Sequence, residues 1–281
     1  MKYNVKGDLF LISQILSLSN QKIAEKASIP FENLSRIING KIEASNDTLE
    51  KLYSFAYDHN VELNKLIIDA YEHKYDIVLF HGSKDQIIGN LSLSHSREFV
   101  DFGAGFYVGD NYQQSLDFVC MSDSGSIYVL KVDYDNLKIL NLDISLDWLL
   151  LIGINRGKLE KYKDTAKYKE LVKKLNEYDV IIAPIADNRM FSTIEDFTRS
   201  AISTTQAIHA LKDLSLGKQI VFKTEKALKQ VTLLERLYVS KKEREVAKKN
   251  KIQKVEDSDK FIADAYAKYI RQGQYIDEVF K

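Results

Sequence analysis

The sequence predicts an α+β protein in three successive segments: an all-α amino-terminal module, a mixed-sheet domain and a helical carboxy-terminal tail. Three observations carry this. Residues 8–72 space their apolar side chains as helices do. From residue 76, short β-rich runs alternate with helical stretches. Beyond residue 240, Lys241, Lys242, Arg244, Lys248, Lys249, Lys251 and Lys254 form a basic stretch of helical propensity. The expected boundaries are 1–75, 76–238 and 239–281.

Within the first segment, residues 21–30 read as a helix followed by a tight turn at Pro30. Residues 31–40 read as a second helix closed by Gly40. Ile23, Ala24, Ile29, Leu34 and Ile37 fall where a small helical core needs them. Ser45, Asn46 and Asp47 are candidate caps for the next helix, and a further helix spans 61–72. This pattern resembles a lambda-repressor-like helix-turn-helix. The resemblance makes Asn33 and Arg36, on the outward side of the second helix, the candidate DNA contacts. Charge gives no support to that role: residues 1–75 carry nine Lys and Arg against ten Asp and Glu. A helical docking or dimerisation module of the same shape fits equally well.

In the middle segment the β-rich runs are 77–80, 105–108, 126–132, 137–142, 180–182 and 219–223. Helices are expected at 111–120, 145–152 and 167–177. The whole chain balances 40 basic against 40 acidic residues, which removes any global pull toward nucleic acid or acidic membranes. A single cysteine, Cys120, excludes an internal disulfide and fits a reducing compartment. The most apolar run, 148–152, is far too short to span a bilayer, and the first residues show no secretory pattern. A cytoplasmic protein without membrane contact is expected. His95 and His209 have no partner at metal-ligand spacing, so no metal site is expected.

The residues that suggest chemistry are His81-Gly82-Ser83, ending the first β-rich run, and Asp101-Phe102-Gly103-Ala104-Gly105-Phe106-Tyr107, opening the second. Phe118 follows on the next helix. Two aromatics, Tyr107 and Phe118, can sandwich a flat ring, which contributes roughly 0.5–1.5 kcal/mol per pair beyond burial. Gly82 lacks a Cβ and so permits close backbone approach. The order of these motifs resembles the nicotinamide-dinucleotide pocket of ADP-ribosyltransferases of the diphtheria-toxin and poly(ADP-ribose) polymerase class. It is more similar still to a bacterial family of that fold, catalogued as a domain of unknown function, with a His-Tyr-Gln site. A later Ile-Ala-Pro-Ile-Ala-Asp segment, residues 182–187, is shared with that family.

The resemblance implies a split mixed-sheet ADP-ribosyltransferase-like domain using NAD as co-substrate. It implies that Gly82 reads the nicotinamide carboxamide and that His81 bonds the adenosine ribose. Ser83, Gly105, Tyr107 and Phe118 complete the expected cofactor contacts. The third catalytic position falls on Gln219, after a Gly217-Lys218 turn, where many relatives carry Glu. An amide there can orient a ribose hydroxyl but cannot neutralise charge, which favours a single transfer over polymer growth. Gln219→Glu is then expected to keep or raise cleavage of NAD by water. The alternative for Gln219 is an ordinary strand-edge amide. Arg97 is a candidate pyrophosphate donor or else a surface ion-pair partner of Glu98 or Asp101. Asp187 either faces the pocket or caps a helix. The tail reads as a solvated helix with Phe261, Ala265, Tyr266 and Tyr269 on a docked face, or as a track for an acidic or nucleic-acid acceptor. By resemblance, such a chain is a mono-ADP-ribosyltransferase acting as a toxin or phage-defence effector. Its partners would be a protein or nucleic-acid acceptor, a small antitoxin, and DNA through the first module. The rival functions are a non-catalytic dinucleotide sensor and a pure interaction module.

Overall fold

A computed structural model describes residues 1–93, 99–186, 188–212, 214 and 217–281, with only the backbone at 188 and 189. The candidates Arg97 and Asp187, together with His95, lie outside the described residues. Among those described are thirteen α-helices and seven strands of a mixed sheet. The chain divides into two compact units. Unit 1 comprises residues 1–89, 112–132 and 232–250. Unit 2 comprises 90–111, 133–231 and 251–281.

Unit 1 begins with five helices: α1 (Val5–Leu16), α2 (Asn20–Lys26), α3 (Phe31–Ile38), α4 (Asn46–Asp58) and α5 (Leu63–Glu72). Side-chain oxygens start three of them: Asn4 accepts from Gly7 N–H, Ser19 from Lys22 N–H and Ser45 from Thr48 N–H. Ile23, Ala24, Ile29 and Leu34 are buried as their spacing requires, while Asn33 and Arg36 point into solvent. Strands β1 (Val78–Ser83) and β3 (Ser126–Val132) follow, with helix α6 (Tyr112–Val119). β1 and β3 pair antiparallel, and the unit's strand order is β1-β3-β7, where β7 is Val231–Tyr238. One apolar core joins Leu9, Ile12 and Leu52 of the helices to Phe80, Val129 and Leu237 of the strands.

Tyrosine–carboxylate pairs close this unit across long sequence separations. Tyr53 donates to Asp8, Tyr71 to Glu235 at 2.8 Å, Tyr112 to Glu243 at 2.7 Å and Tyr238 to Glu50 at 2.9 Å. Asn64 donates to the Tyr238 carbonyl at 3.0 Å. Burial dominates the titration of Asp8 and pushes its pKa up to about 7, against the lowering effect of the Tyr53 hydrogen bond.

Unit 2 holds β2 (Phe106–Gly109), β4 (Ile139–Asn141), β5 (Val180–Pro184) and β6 (Lys218–Phe222), in the order β4-β5-β6-β2. β4 and β5 run parallel, and the other two pairings are antiparallel. α7 (Leu146–Asn155) is apolar on every side and buried from Trp148 to Ile154. It forms a core with Phe102, Ile181, Phe197 and Val221. α8 (Ala166–Asn176), α9 (Asn188–Thr198), α10 (Thr204–Lys212) and the short α13 (Ile276–Val279) add buried side chains to that core, and a further short helix is α11 (Glu225–Leu228). Helix α12 (Lys241–Lys268) contributes its first ten residues to unit 1 and the rest to unit 2. Its docked face in unit 2 is Ile262, Ala265 and Tyr266. Phe261, placed by spacing on that face, is instead 58% exposed, because Ile262 takes the inward position.

No helix among the described residues is long and apolar enough to cross a membrane, and none of their His, Cys, Asp or Glu side chains cluster for metal binding.

Candidate functional site

The expected site residues fall into two groups, one in each unit. In unit 1, the β1–β3 register sets His81 opposite Tyr128, Gly82 opposite Ile127 and Ser83 opposite Ser126. The rings of His81 and Tyr128 lie 6.4 Å apart. A Cβ at Gly82 would stand 2.9 Å from the Ser115 carbonyl and 3.2 Å from Phe118 Cδ1. Helix α6 therefore rests on the glycine, and its missing side chain serves helix packing. The same contact brings Gly82 and Phe118 together. Phe118 is 38% exposed, with Lys84 Nζ 5.8 Å from its ring.

The second group begins with Tyr107 on β2 and Gln219 on β6. These strands are antiparallel partners, with Tyr107 opposite Val221 and Gly109 opposite Gln219. Directly opposed residues share a face, and so do residues two apart along a strand. Tyr107 and Gln219 thus project from the same face of the sheet. Gln219 is not at a strand edge: β6 is flanked by β2 and β5, and the side chain is 5% exposed. Gly105 is pressed against β6, where a Cβ would lie 2.6 Å from Val221 Cγ1 and 3.0 Å from the Phe222 carbonyl.

The Asp101–Gly103 segment lies against both side chains. Gln219 Nε2 donates to Asp101 Oδ2 at 2.7 Å and to the Pro184 carbonyl at 3.2 Å. The Tyr107 hydroxyl donates to the Gly103 carbonyl at 2.7 Å and accepts from Phe102 N–H at 3.1 Å. Burial pushes the Tyr107 pKa well above the ordinary phenol value, so the hydroxyl keeps its proton. Lys223 Nζ donates to the Phe102 carbonyl, and burial pulls its pKa down.

Behind Gln219, Asp101 is ion-paired to Arg156, and both side chains are 9% exposed. Arg156 Nη2 also donates to the Ala186 carbonyl at 3.0 Å. The guanidinium stacks 3.9 Å from the ring centre of Phe191, on α9. Trp148 Nε1 donates to Pro184, the carbonyl that also receives Gln219. Spacing and motif missed Arg156, Phe191 and Trp148 altogether. Arg156 had one available signal, a lone cation closing the apolar helix α7.

The profile of a family described as a protein of unknown function, DUF3990, matches residues 77–233, more than half of the chain. The chain belongs to the DUF3990 family. No curated protein matches it, and no solved structure does. The matched range takes in β1 with His81 and Gly82, the Asp101–Gly105 segment, Tyr107, Phe118, Arg156 and Gln219. Residues 1–76, with Asn33 and Arg36, lie outside it.

Proposed function

We propose that this DUF3990 protein is an NAD-dependent mono-ADP-ribosyltransferase fused to a helix-turn-helix module, acting as a toxin or phage-defence effector. One observation carries the reading. Tyr107 and Gln219 share one face of paired strands, and the segment hallmarked by Asp-Phe-Gly touches both. That is an aromatic and a fixed polar group over one small area, as a ring-bearing dinucleotide requires.

Bound NAD supplies the bond that breaks, between C1′ of ribose and the nicotinamide nitrogen. The electron pair of that bond leaves with nicotinamide. The acceptor nucleophile forms the new bond at C1′ and gives up its proton. Gln219 would hold a ribose hydroxyl beside the developing positive charge. In unit 2, Tyr107 would contact the nicotinamide ring; the resemblance alone assigns Phe118 to that ring, Gly82 to its carboxamide, and His81 and Ser83 to the adenosine side. Tyr107 is no candidate base, since its hydroxyl stays protonated. The proton therefore passes to the acceptor's own surroundings or to water.

The test is nicotinamide release from NAD by the purified full chain, followed by tracing of labelled ADP-ribose in cell extract. Label in protein or nucleic acid supports transfer and identifies the acceptor class. Tight NAD binding with no release supports the rival reading, a dinucleotide sensor. The helix-turn-helix reading adds DNA binding through the exposed Asn33 and Arg36. Its affinity should fall steeply with salt and with Arg36→Ala. Unchanged binding in that variant overturns it.

A further inference from the structure

We propose that Asp101, clamped by Arg156, is a positioning residue that locks the Gln219 amide with Nε2 inward and Oε1 outward. Position 219 then works as a neutral hydrogen-bond acceptor for a ligand hydroxyl. This rests on the reading of the site as a dinucleotide site.

The orientation follows from the chemistry of the neighbours. A primary amide has one nitrogen that only donates and one oxygen that only accepts. Asp101 Oδ2 and the Pro184 carbonyl oxygen are both acceptors, at 2.7 and 3.2 Å from the amide. Only Nε2 satisfies them, and both of its hydrogens are used. Turning the amide over would set its oxygen against a carboxylate and a carbonyl. Oε1 is the single atom of the group that remains, and it receives no hydrogen bond from the described residues.

Arg156 keeps this arrangement fixed. It holds Asp101 Oδ1, so Oδ2 is the oxygen left for Gln219. Its second anchor at Ala186 and its stack on Phe191 stop the guanidinium from following the carboxylate elsewhere. A carboxylate bonded to Nε2 also polarises the amide and makes Oε1 a stronger acceptor. The site thereby gains some of the character of a glutamate while the group facing the ligand stays uncharged. The specificity implied is for a ligand that presents a hydroxyl donor, next to the bond that breaks, to Oε1.

Two measurements on the full chain test this. The first needs no ligand: the Gln219 side-chain amide protons, assigned by through-bond NMR, should exchange with deuterium at least tenfold slower than exposed glutamine amides. Exchange at the exposed rate overturns the locked orientation. The second compares Asp101→Asn with wild type on NAD and on an analogue lacking the nicotinamide-ribose 2′-hydroxyl. The introduced amide has one acceptor oxygen, which Arg156 claims, so its nitrogen faces Gln219 and the lock is lost. The variant should lose on the order of tenfold in kcat on NAD, the worth of one neutral hydrogen bond in the transition state, with little change in KM. It should lose nothing further on the deoxy analogue. Equal losses on both substrates would show a general structural effect and overturn the positioning role. Wild type that neither binds NAD nor releases nicotinamide defeats the transferase reading instead, and the exchange measurement then decides the orientation alone. Should Asp101→Asn not fold, the same exchange measurement decides it on wild type.

Discussion

Unit 1 buries Asp8 and Glu235 against phenol hydroxyls, whereas unit 2 buries Asp101 against a guanidinium. A phenol offers one hydrogen bond and no charge. At Asp8 burial prevails, and the group moves toward the protonated form, with a pKa near 7. Glu243, bonded to Tyr112 and Asn64, is likewise pushed upward by burial. Asp101 has an opposite full charge and a second hydrogen bond from Gln219. The acids of unit 1 join elements distant in sequence. The acid of unit 2 stands behind the group expected to meet a ligand.

The largest effect is expected at Arg156. Removing one member of a buried ion pair leaves the other charge uncompensated, at a cost of about 3–5 kcal/mol. Arg156→Ala should lose that much by denaturant unfolding, more than any single tyrosine-to-phenylalanine change in unit 1. A loss below about 1 kcal/mol would mean that the guanidinium is not what makes Asp101 tolerable.

The next largest effect is the pH dependence of unit 1. Asp8 has a folded pKa of about 7 against an ordinary 3.8, so the folded state binds its proton more tightly than the unfolded chain. Its contribution is fully present below about pH 4 and lost as pH rises to about 7, a swing on the order of 4 kcal/mol. Asp8→Asn should flatten that slope and be more stable than wild type at pH 8. Parallel pH curves for the two proteins would refute the assignment.

A third change sharpens the role of unit 2. From the resemblance alone, Gln219→Glu is expected to supply the charge that glutamate-bearing ADP-ribosyltransferases use. Beside Asp101 it adds a like charge and removes the donor to Oδ2 and to Pro184. The variant should lose about 2 kcal/mol at neutral pH and regain part of it toward pH 5, as the new carboxyl takes up a proton. NAD cleavage should fall rather than persist. Wild-type stability at pH 8 would show that Asp101 does not press on position 219.

These residues also mark what the sequence makes legible. Periodicity and caps place the helices of residues 1–75, and apolar runs place β2, β3, β5 and β6 to within two residues. β7 escapes, because Val231–Tyr238 reads Val-Thr-Leu-Leu-Glu-Arg-Leu-Tyr and its charges break the apolar run. One of those charges, Glu235, is buried because Tyr71 meets it from 164 positions away. Motif order names His81, Tyr107, Phe118 and Gln219 as candidates, and the fold brings Gly82 against Phe118 and sets Tyr107 on one sheet face with Gln219. Asp101 is visible only as part of a motif, since its partner Arg156 lies 55 positions on and no local pattern links them. Pairings of that kind are set by the sheet, which brings together residues with no shared periodicity.

The smallest effect is the most discriminating, because it lies inside unit 1. Glu50 is also met by a tyrosine, Tyr238, yet its pKa is lowered. Burial is the largest influence and acts upward. It is outweighed by Ser54 at 2.6 Å, Lys241 N–H at 2.9 Å, Tyr238 itself and the cation of Arg244 at 3.8 Å. With several donors present, losing one is cheap: Tyr238→Phe should cost only about 0.5–1.5 kcal/mol. The pH dependence should also run opposite to that of Asp8. A lowered folded pKa gives stability that is present above the ordinary carboxylate value and lost as pH falls through the folded one. Glu50→Gln should therefore be less stable than wild type at pH 7, and the gap should narrow below pH 4. Asp8→Asn should show the reverse. If both substitutions shift stability in the same direction with pH, the number and charge of the donors does not decide how Asp8 and the half-buried Glu50 titrate.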